Sequence, residues 1–218
     1  MSAKDEILAK VRTALRDVPP GDIETDAPVK WRHGQPVNVK DVLGTFAERV
    51  ADYKAGVVEC SLEAVPEKIA EALTSHAVTS CVAPPGLDAS WKAAISKAGI
   101  KLVVDQSDAP LSNSQLNELD AVVTASAVGA AETGTIVLDH SDDQGRRALS
   151  LVPDVHVCVI RADQVVSGVP EAVARLKASV FNGQPLTWIS GPSATSDIEL
   201  RRVEGVHGPR TLHVIIVK

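Results

Sequence analysis

The sequence predicts an α/β protein: an open, mainly parallel layered sheet, preceded by an N-terminal helical arm and carrying a strand-rich excursion in its second half. Three observations predict it. From Val39 onward, helix-like and strand-like segments alternate. The strand-like runs are short and β-branched and lack polar alternation, as strands covered on both faces do. The composition is 44% hydrophobic with only three Trp, one Tyr and two Phe, so the core must be built from Val, Ala, Leu and Ile. That suits a sheet covered by helices better than an aromatic-rich sandwich.

The first element is the arm. In "SAKDEILAKVRTALRDV", Ile7, Leu8, Val11 and Leu15 fall on one face of a helix for which Ser2 is a ready N-cap. "PPGDIETDAPVKWRHGQP" follows, with four prolines, two glycines and no periodicity, and reads as an extended linker. Residues 1–38 are therefore assigned to arm and linker, and residues 39–218 to the α/β domain. A tethered amphipathic helix has to dock its apolar face, on its own domain or on another chain.

The domain opens with a helical stretch from Val39 to Lys54 and the strand "GVVEC". "LEAVPEKIAEALTSH", helical after Pro66, leads to "TSCVAPPG". Then come helix "DASWKAAISKAG", strand "IKLVVD", helix "NSQLNEL" and strand "DAVVTAS". Right-handed β-α-β crossovers make these strands parallel. After Ser126 the rhythm changes to three β-like runs joined by turns. The helix "VPEAVARLKASVF", the strand "PLTWIS", a long loop and the strand "TLHVIIV" complete the chain.

Several functions are excluded or disfavoured by composition. The formal net charge is −6, without the basic stripe that nucleic acid requires. Cys60, Cys81 and Cys158 are widely spaced, odd in number and set in apolar runs, the pattern of free thiols rather than of zinc or cluster ligands. No metal site is expected: "DHSDD" (139–143) reads as a solvated hairpin tip, and His156 and Cys158, though on one strand face, are two ligands only. The polar start "MSAKDEILAK" is unlike a signal peptide and no apolar run approaches a membrane span, so a cytoplasmic protein is expected.

Three segments carry the unusual residues. In "SGPSATSDIELRRVEGVHGP", Ser196 and Glu199 have the spacing of a capping box, with Gly205 ending a short helix "DIELRRVE". That leaves Gly191, Ser193, Thr195 and Asp197 between a strand end and a helix N-terminus, where N–H groups and small hydroxyls receive anions. "GAAETGT" has the outline of a dinucleotide fingerprint, but Ala131 stands where glycine is needed and a strand, not a helix, follows. What remains is Glu132, a carboxylate with space around it, flanked by Thr133, Gly134 and Thr135. Arg146 and Arg147 are candidate clamps for a carboxylate or phosphate. His207, bracketed by glycines, joins Glu132 as a candidate for proton handling. Each has a plain alternative as a surface or packing residue.

"AETGTIVL" (131–138), "LSLVPDVHVCVI" (149–160) and "SGPSATSDIELRRVEGVHGP" (190–209), in this order and behind a short helical arm, resemble the LUD-domain family, within it the lactate-utilisation group. The resemblance spans the chain and is most specific in its last ninety or so residues. It implies a fold like that of the sugar-phosphate isomerase and CoA-transferase class. It further implies a cluster-free subunit that works with two iron–sulfur partner proteins in oxidising L-lactate, a small 2-hydroxy acid, to pyruvate. On this reading Thr133, Thr135 and Glu132 face the Ser193–Asp197 loop across one cleft. No flavin or NAD site is visible in this chain. An independent enzyme acting on a phosphorylated or CoA-linked small molecule, and a non-catalytic assembly module, stay open as alternatives.

Overall fold

The computed structural model describes residues 2–17, 34–195, 203–204 and 208–218. The chain divides into two units, Met1–Gln35 and Pro36–Lys218. The first holds helix α1 (Ala3–Ala14). Its start is tied reciprocally: the Asp5 N–H donates to Ser2 Oγ, and the Ser2 N–H donates to the Asp5 carboxylate at 2.9 Å. Lys10 and Glu6 pair one turn apart on its surface. The segment read as a linker falls almost wholly outside the described residues.

In the second unit the helices are α2 (Val42–Asp52), α3 (Val65–Ser75), α4 (Ala89–Lys97), α5 (Asn113–Asn117) and α6 (Val169–Phe181). The strands are β1 (Gly56–Cys60), β2 (Ser80–Ala83), β3 (Lys101–Val104), β4 (Ala121–Thr124), β5 (Val128–Ala130), β6 (Thr135–Leu138), β7 (Val155–Arg161), β8 (Val165–Val166), β9 (Thr187–Ile189), β10 (Ala194–Thr195), β11 (Val203–Glu204) and β12 (Thr211–Val217). Six of them form a wholly parallel sheet in the order β1-β12-β7-β4-β2-β3. Helices start where the sequence allows: Asp41 accepts from the Gly44 N–H at 2.9 Å, and Pro66 sits in the first turn of α3, where its missing N–H costs nothing.

The absence of polar alternation has a simple cause: the sheet is buried on both sides. Val157, Val159 and Ile215 pack with Val65, Ile69, Leu73 and Ile95 on one face. Cys158, Ile160, Val214 and Ile216 pack on the other face with Phe46 and Val50 of α2 and with Ile136 and Leu138 of β6. A fully buried Ile such as Ile160 contributes about 2–3 kcal/mol of transfer free energy. Asp120 pins the edge of this sheet. Its carboxylate accepts from the N–H and hydroxyl of both Thr79 and Ser80 at 2.7–3.0 Å, and these bonds, that of the Thr79 hydroxyl foremost, hold its pKa below the usual carboxylate value.

The strand-rich excursion is a second sheet of four strands, β8-β5-β6-β9. It lies between two layers. Ile136 and Leu138 face the parallel sheet, while Val128, Ala130 and Val137 face Ala172 and Leu176 of α6. The β5–β6 turn needs glycine at 134: φ is +58°, and a Cβ there would come within 2.7 Å of the Arg49 backbone. Strand β7, which the sequence left among the β-like runs of the second half, crosses into the parallel sheet between β12 and β4.

One local expectation is overturned. Val203 and Glu204, read as the end of a helix, pair antiparallel with Thr195 and Ala194. The backbone pairing of Thr195 with Val203 depends on two segments meeting, which a reading of neighbouring residues does not register. Thr195 is therefore a strand residue. Ser196, Asp197, Glu199, Gly205 and His207 lie outside the described residues.

Candidate functional site

Two clefts flank the four-stranded sheet. The first, about 280 Å³, has its floor at His156 and Leu212, the second residues of β7 and β12. Its walls are Ser150 and Leu151 on one side, Thr187, Trp188 and Ser190 to Ser193 on another, and Gly208 and Pro209. It thus opens near the starting ends of the two central strands. The second cleft, about 420 Å³, lies where β2 and β3 end, and Asp105, Ser107, His140, Arg146 and Arg147 line it. That is the usual ligand side of an open α/β sheet.

The first cleft is uncharged along its described walls and rich in hydroxyls. A chain of hydrogen bonds runs into it: Thr133 Oγ1 to Thr135 Oγ1 at 2.7 Å, then Thr135 Oγ1 to Ser190 Oγ at 2.8 Å. Thr135 is almost fully buried and Ser190 is exposed, so the chain joins the interior to the cleft wall. Gly191 bends the backbone with φ +87°, and a Cβ there would meet the Tyr53 side chain at 2.5 Å. The turn is held shut by the Ser193 N–H, which donates to the Pro209 carbonyl at 2.8 Å.

On the floor, His156 is 1% exposed and its Nε2 lies 2.8 Å from Thr124 Oγ1. Burial drives its pKa down to about 4, so at neutral pH it is an uncharged imidazole. Two residues along the same strand face, burial pushes the Cys158 thiol up to about 12. A chain of polar but uncharged groups therefore continues under the cleft.

The second cleft is ionic. Asp105, 4% exposed, receives Arg146 through Nε at 2.7 Å and through Nη2 at 3.1 Å, and also accepts from the Leu111 N–H at 2.8 Å. Arg146 Nη2 further donates to the Leu111 carbonyl. These bonds spend Arg146 on fixing the segment after β3. Arg147 is exposed; its carbonyl accepts from the Ser150 hydroxyl at 3.3 Å, and its side chain makes no hydrogen bond or ion pair among the described residues.

The residues singled out in the sequence are thus divided. Gly191 and Ser193 line the first cleft, and Thr133 and Thr135 reach it through Ser190. Arg146 and Arg147 line the second. Gly134 shapes the β5–β6 turn. Glu132 lines neither cleft: it is exposed on that turn, its N–H donating to the Ser167 carbonyl at 2.9 Å and its carboxylate close to Gly168. Among the described residues no group of three His, Cys, Asp or Glu side chains is placed to hold a metal ion, and no helix is long and apolar enough to cross a membrane. Sequence reasoning passed over His140 and Thr187, which stand between the two clefts. Their only signal was a histidine inside the acidic run 139–143.

A parallel α/β core with a small second sheet packed on one face, and clefts beside that sheet, defines the class of protein. A model of the LUD domain matches residues 43–217, and the chain belongs to the LUD domain family. It is 49% identical over 182 residues to Lactate utilization protein C of Deinococcus radiodurans, an alignment covering 84% of this chain and 82% of that protein. It is 35% identical over 100 residues to Lactate utilization protein C of Bacillus licheniformis, covering 44% of this chain and 41% of that one. A crystal structure of a duf162 family protein from Deinococcus radiodurans superposes with a TM-score of 0.70 at 43% identity, over 84% of this chain and all of the other.

Proposed function

We propose that this protein serves lactate utilisation as the cluster-free subunit of a complex that oxidises L-lactate to pyruvate, with two iron–sulfur partner proteins carrying the electrons. The observation that carries the reading is the 49% identity, across most of both chains, to a protein named for lactate utilisation. The first cleft fits a small acid. At about 280 Å³ it stands at the low end of ligand pockets, and its hydroxyls and turn N–H groups suit a carboxylate that needs hydrogen bonds more than a second charge. Ser190, Gly191 and Ser193 bind the carboxylate in this reading. Cys60, Cys81 and Cys158 are free thiols far apart in the sequence, without the close spacing of cluster ligands, which favours partners as the cluster carriers. Cytoplasmic location belongs to the same proposal.

The test is a gentle purification of the tagged chain from its host grown on lactate, with lactate-dependent dye reduction measured on the eluate and on the chain alone. Co-eluting iron–sulfur proteins, with activity in the eluate only, are expected. An unaccompanied chain that is stabilised by sugar phosphates or CoA esters instead would overturn the proposal in favour of an independent enzyme.

A further inference from the structure

We infer that Thr187 and His140 form a proton relay serving the first cleft, with Thr187 as the group that meets the hydroxyl of a small 2-hydroxy acid and His140 as the base behind it. This rests on the reading of that cleft as the acid's binding site.

The geometry is specific. Thr187 begins β9, and the ladder sets it opposite Leu138, two residues before His140. Thr187 is 8% exposed and lines the first cleft, while His140 lines the second. His140 Nε2 and Thr187 Oγ1 are 2.9 Å apart. On the far side of the ring, Nδ1 lies 2.7 Å from the Gly145 carbonyl oxygen. A carbonyl can only accept, so Nδ1 carries a proton. In the neutral ring Nε2 then has the lone pair and accepts from the Thr187 hydroxyl. This is the arrangement of a hydroxyl, a histidine base and a group that fixes the tautomer of that base.

The backbone adds a second sign. His140 has φ +62°, a left-handed conformation uncommon outside glycine, though histidine is among the residues enriched there. The turn that holds it there is built for the purpose of alignment: Asp139 accepts from the Ser141 N–H and hydroxyl, and Gln144 Oε1 accepts from the Asp139 N–H at 2.7 Å. The same turn thus holds both ring nitrogens engaged, one with the Gly145 carbonyl and one with Thr187.

The proton balance is simple. The substrate O–H bond breaks and its proton goes to Thr187 Oγ1. The proton already on Oγ1 passes to His140 Nε2, leaving an imidazolium. Both of its N–H groups remain satisfied, by Gly145 and by Thr187. The two electrons of the substrate's Cα–H bond pass to the iron–sulfur redox partners of the proposed complex, and the Cα proton goes to water in the open cleft, so that two electrons and two protons leave the acid in all. The imidazolium returns its proton to solvent through the second cleft. The charged groups that line the second cleft with the ring are Asp142 on its own turn, Asp105 after β3, and Arg146 and Arg147; Asp139 and Asp143 neighbour it along the same turn.

The experiment combines binding and protonation on the full chain. Trp188 lines the first cleft and its fluorescence reports an acid bound there. Histidine 15N NMR reports the His140 ring, one of six in the chain. With L-lactate and pyruvate as probes, Trp188 fluorescence is expected to change in wild type, in Thr187→Ser and in Thr187→Val. The His140 Nε2 resonance is expected to move on binding in wild type and Thr187→Ser, but not in Thr187→Val. In the purified complex, Thr187→Val should lower the lactate-dependent rate about 100-fold with KM little changed, Thr187→Ser should restore most of it, and His140→Asn should remove the acid limb of the pH profile. Asn tolerates the left-handed backbone at 140, so the fold is kept. Fluorescence change with an indifferent His140 ring, or equal rates in the Val and Ser variants, would sink the relay and leave the cleft. Trp188 silent to both acids would instead sink the reading of the cleft as the acid's site.

Discussion

The two clefts differ in how their polar groups are held. Around the arginine cleft, charge is neutralised on the spot: Arg146 and Asp105 form a bidentate pair, and the buried carboxylate takes a further N–H from Leu111. Around the other cleft no described wall residue is charged, and hydroxyls and a neutral histidine are strung together by hydrogen bonds. The first arrangement locks a loop to the end of the sheet. The second leaves groups that can give or take a proton without a large change in field. The pair stays in place because separating a paired buried charge is costly.

That contrast can be broken from the ionic side first. Asp105→Ala should destabilise the protein by about 4 kcal/mol, since it strands the Arg146 guanidinium and the Leu111 N–H together, and urea unfolding measures it. A loss of less than about 1 kcal/mol would mean that the pair is no more than a surface contact.

The next effect tests the neutral cleft. His156 has a folded pKa of about 4 against an unfolded value of 6.5, so the unfolded chain binds the proton first. Its contribution is complete above pH 6.5 and is lost as pH falls towards 4, amounting to about 3 kcal/mol. His213, half-buried and also shifted down, by desolvation first and by His76 second, acts in the same direction. Urea midpoints at pH 7 and pH 4.5 should therefore differ less in His156→Gln than in wild type. Equal pH dependence in the two would show that His156 is not held neutral.

The smallest effects sharpen the comparison. Ser190→Ala removes the end of the Thr133–Thr135–Ser190 chain and should cost about 1 kcal/mol, together with weaker binding of lactate by Trp188 fluorescence. Arg147→Ala should change stability by less than about 0.5 kcal/mol, because the side chain is exposed and unpaired among the described residues. Weaker lactate binding in Arg147→Ala, with Ser190→Ala unaffected, would move the acid's site to the arginine cleft.

Much of the fold was legible because its signals are local. Runs such as "AVVT" and "VHVCVI" mark strands covered on both faces, and the intervening helices fix parallel pairing with little freedom. The family resemblance was carried by three segments in fixed order. The pairing of Thr195 with Val203 was not legible, since a local pattern spans four residues while a ladder depends on two segments meeting. The candidate site was legible only in pieces. Gly191 and Ser193 were found from small residues in a turn, and Thr135 from its neighbours, but nothing in the sequence joins Thr135 to Ser190, 55 positions away.

By itself, the sequence determined most of the segments that form helices and strands, and that the large sheet is mainly parallel and doubly covered. Those properties follow from the periodicity of side chains and the φ/ψ limits of single residues. Only the tertiary structure decided that Glu132 stands apart from the clefts, that Arg146 is consumed by Asp105, and that His140 meets Thr187. Each of these depends on the register between strands and on which layer covers which, and a one-residue slip in a ladder would turn every such side chain to the opposite face.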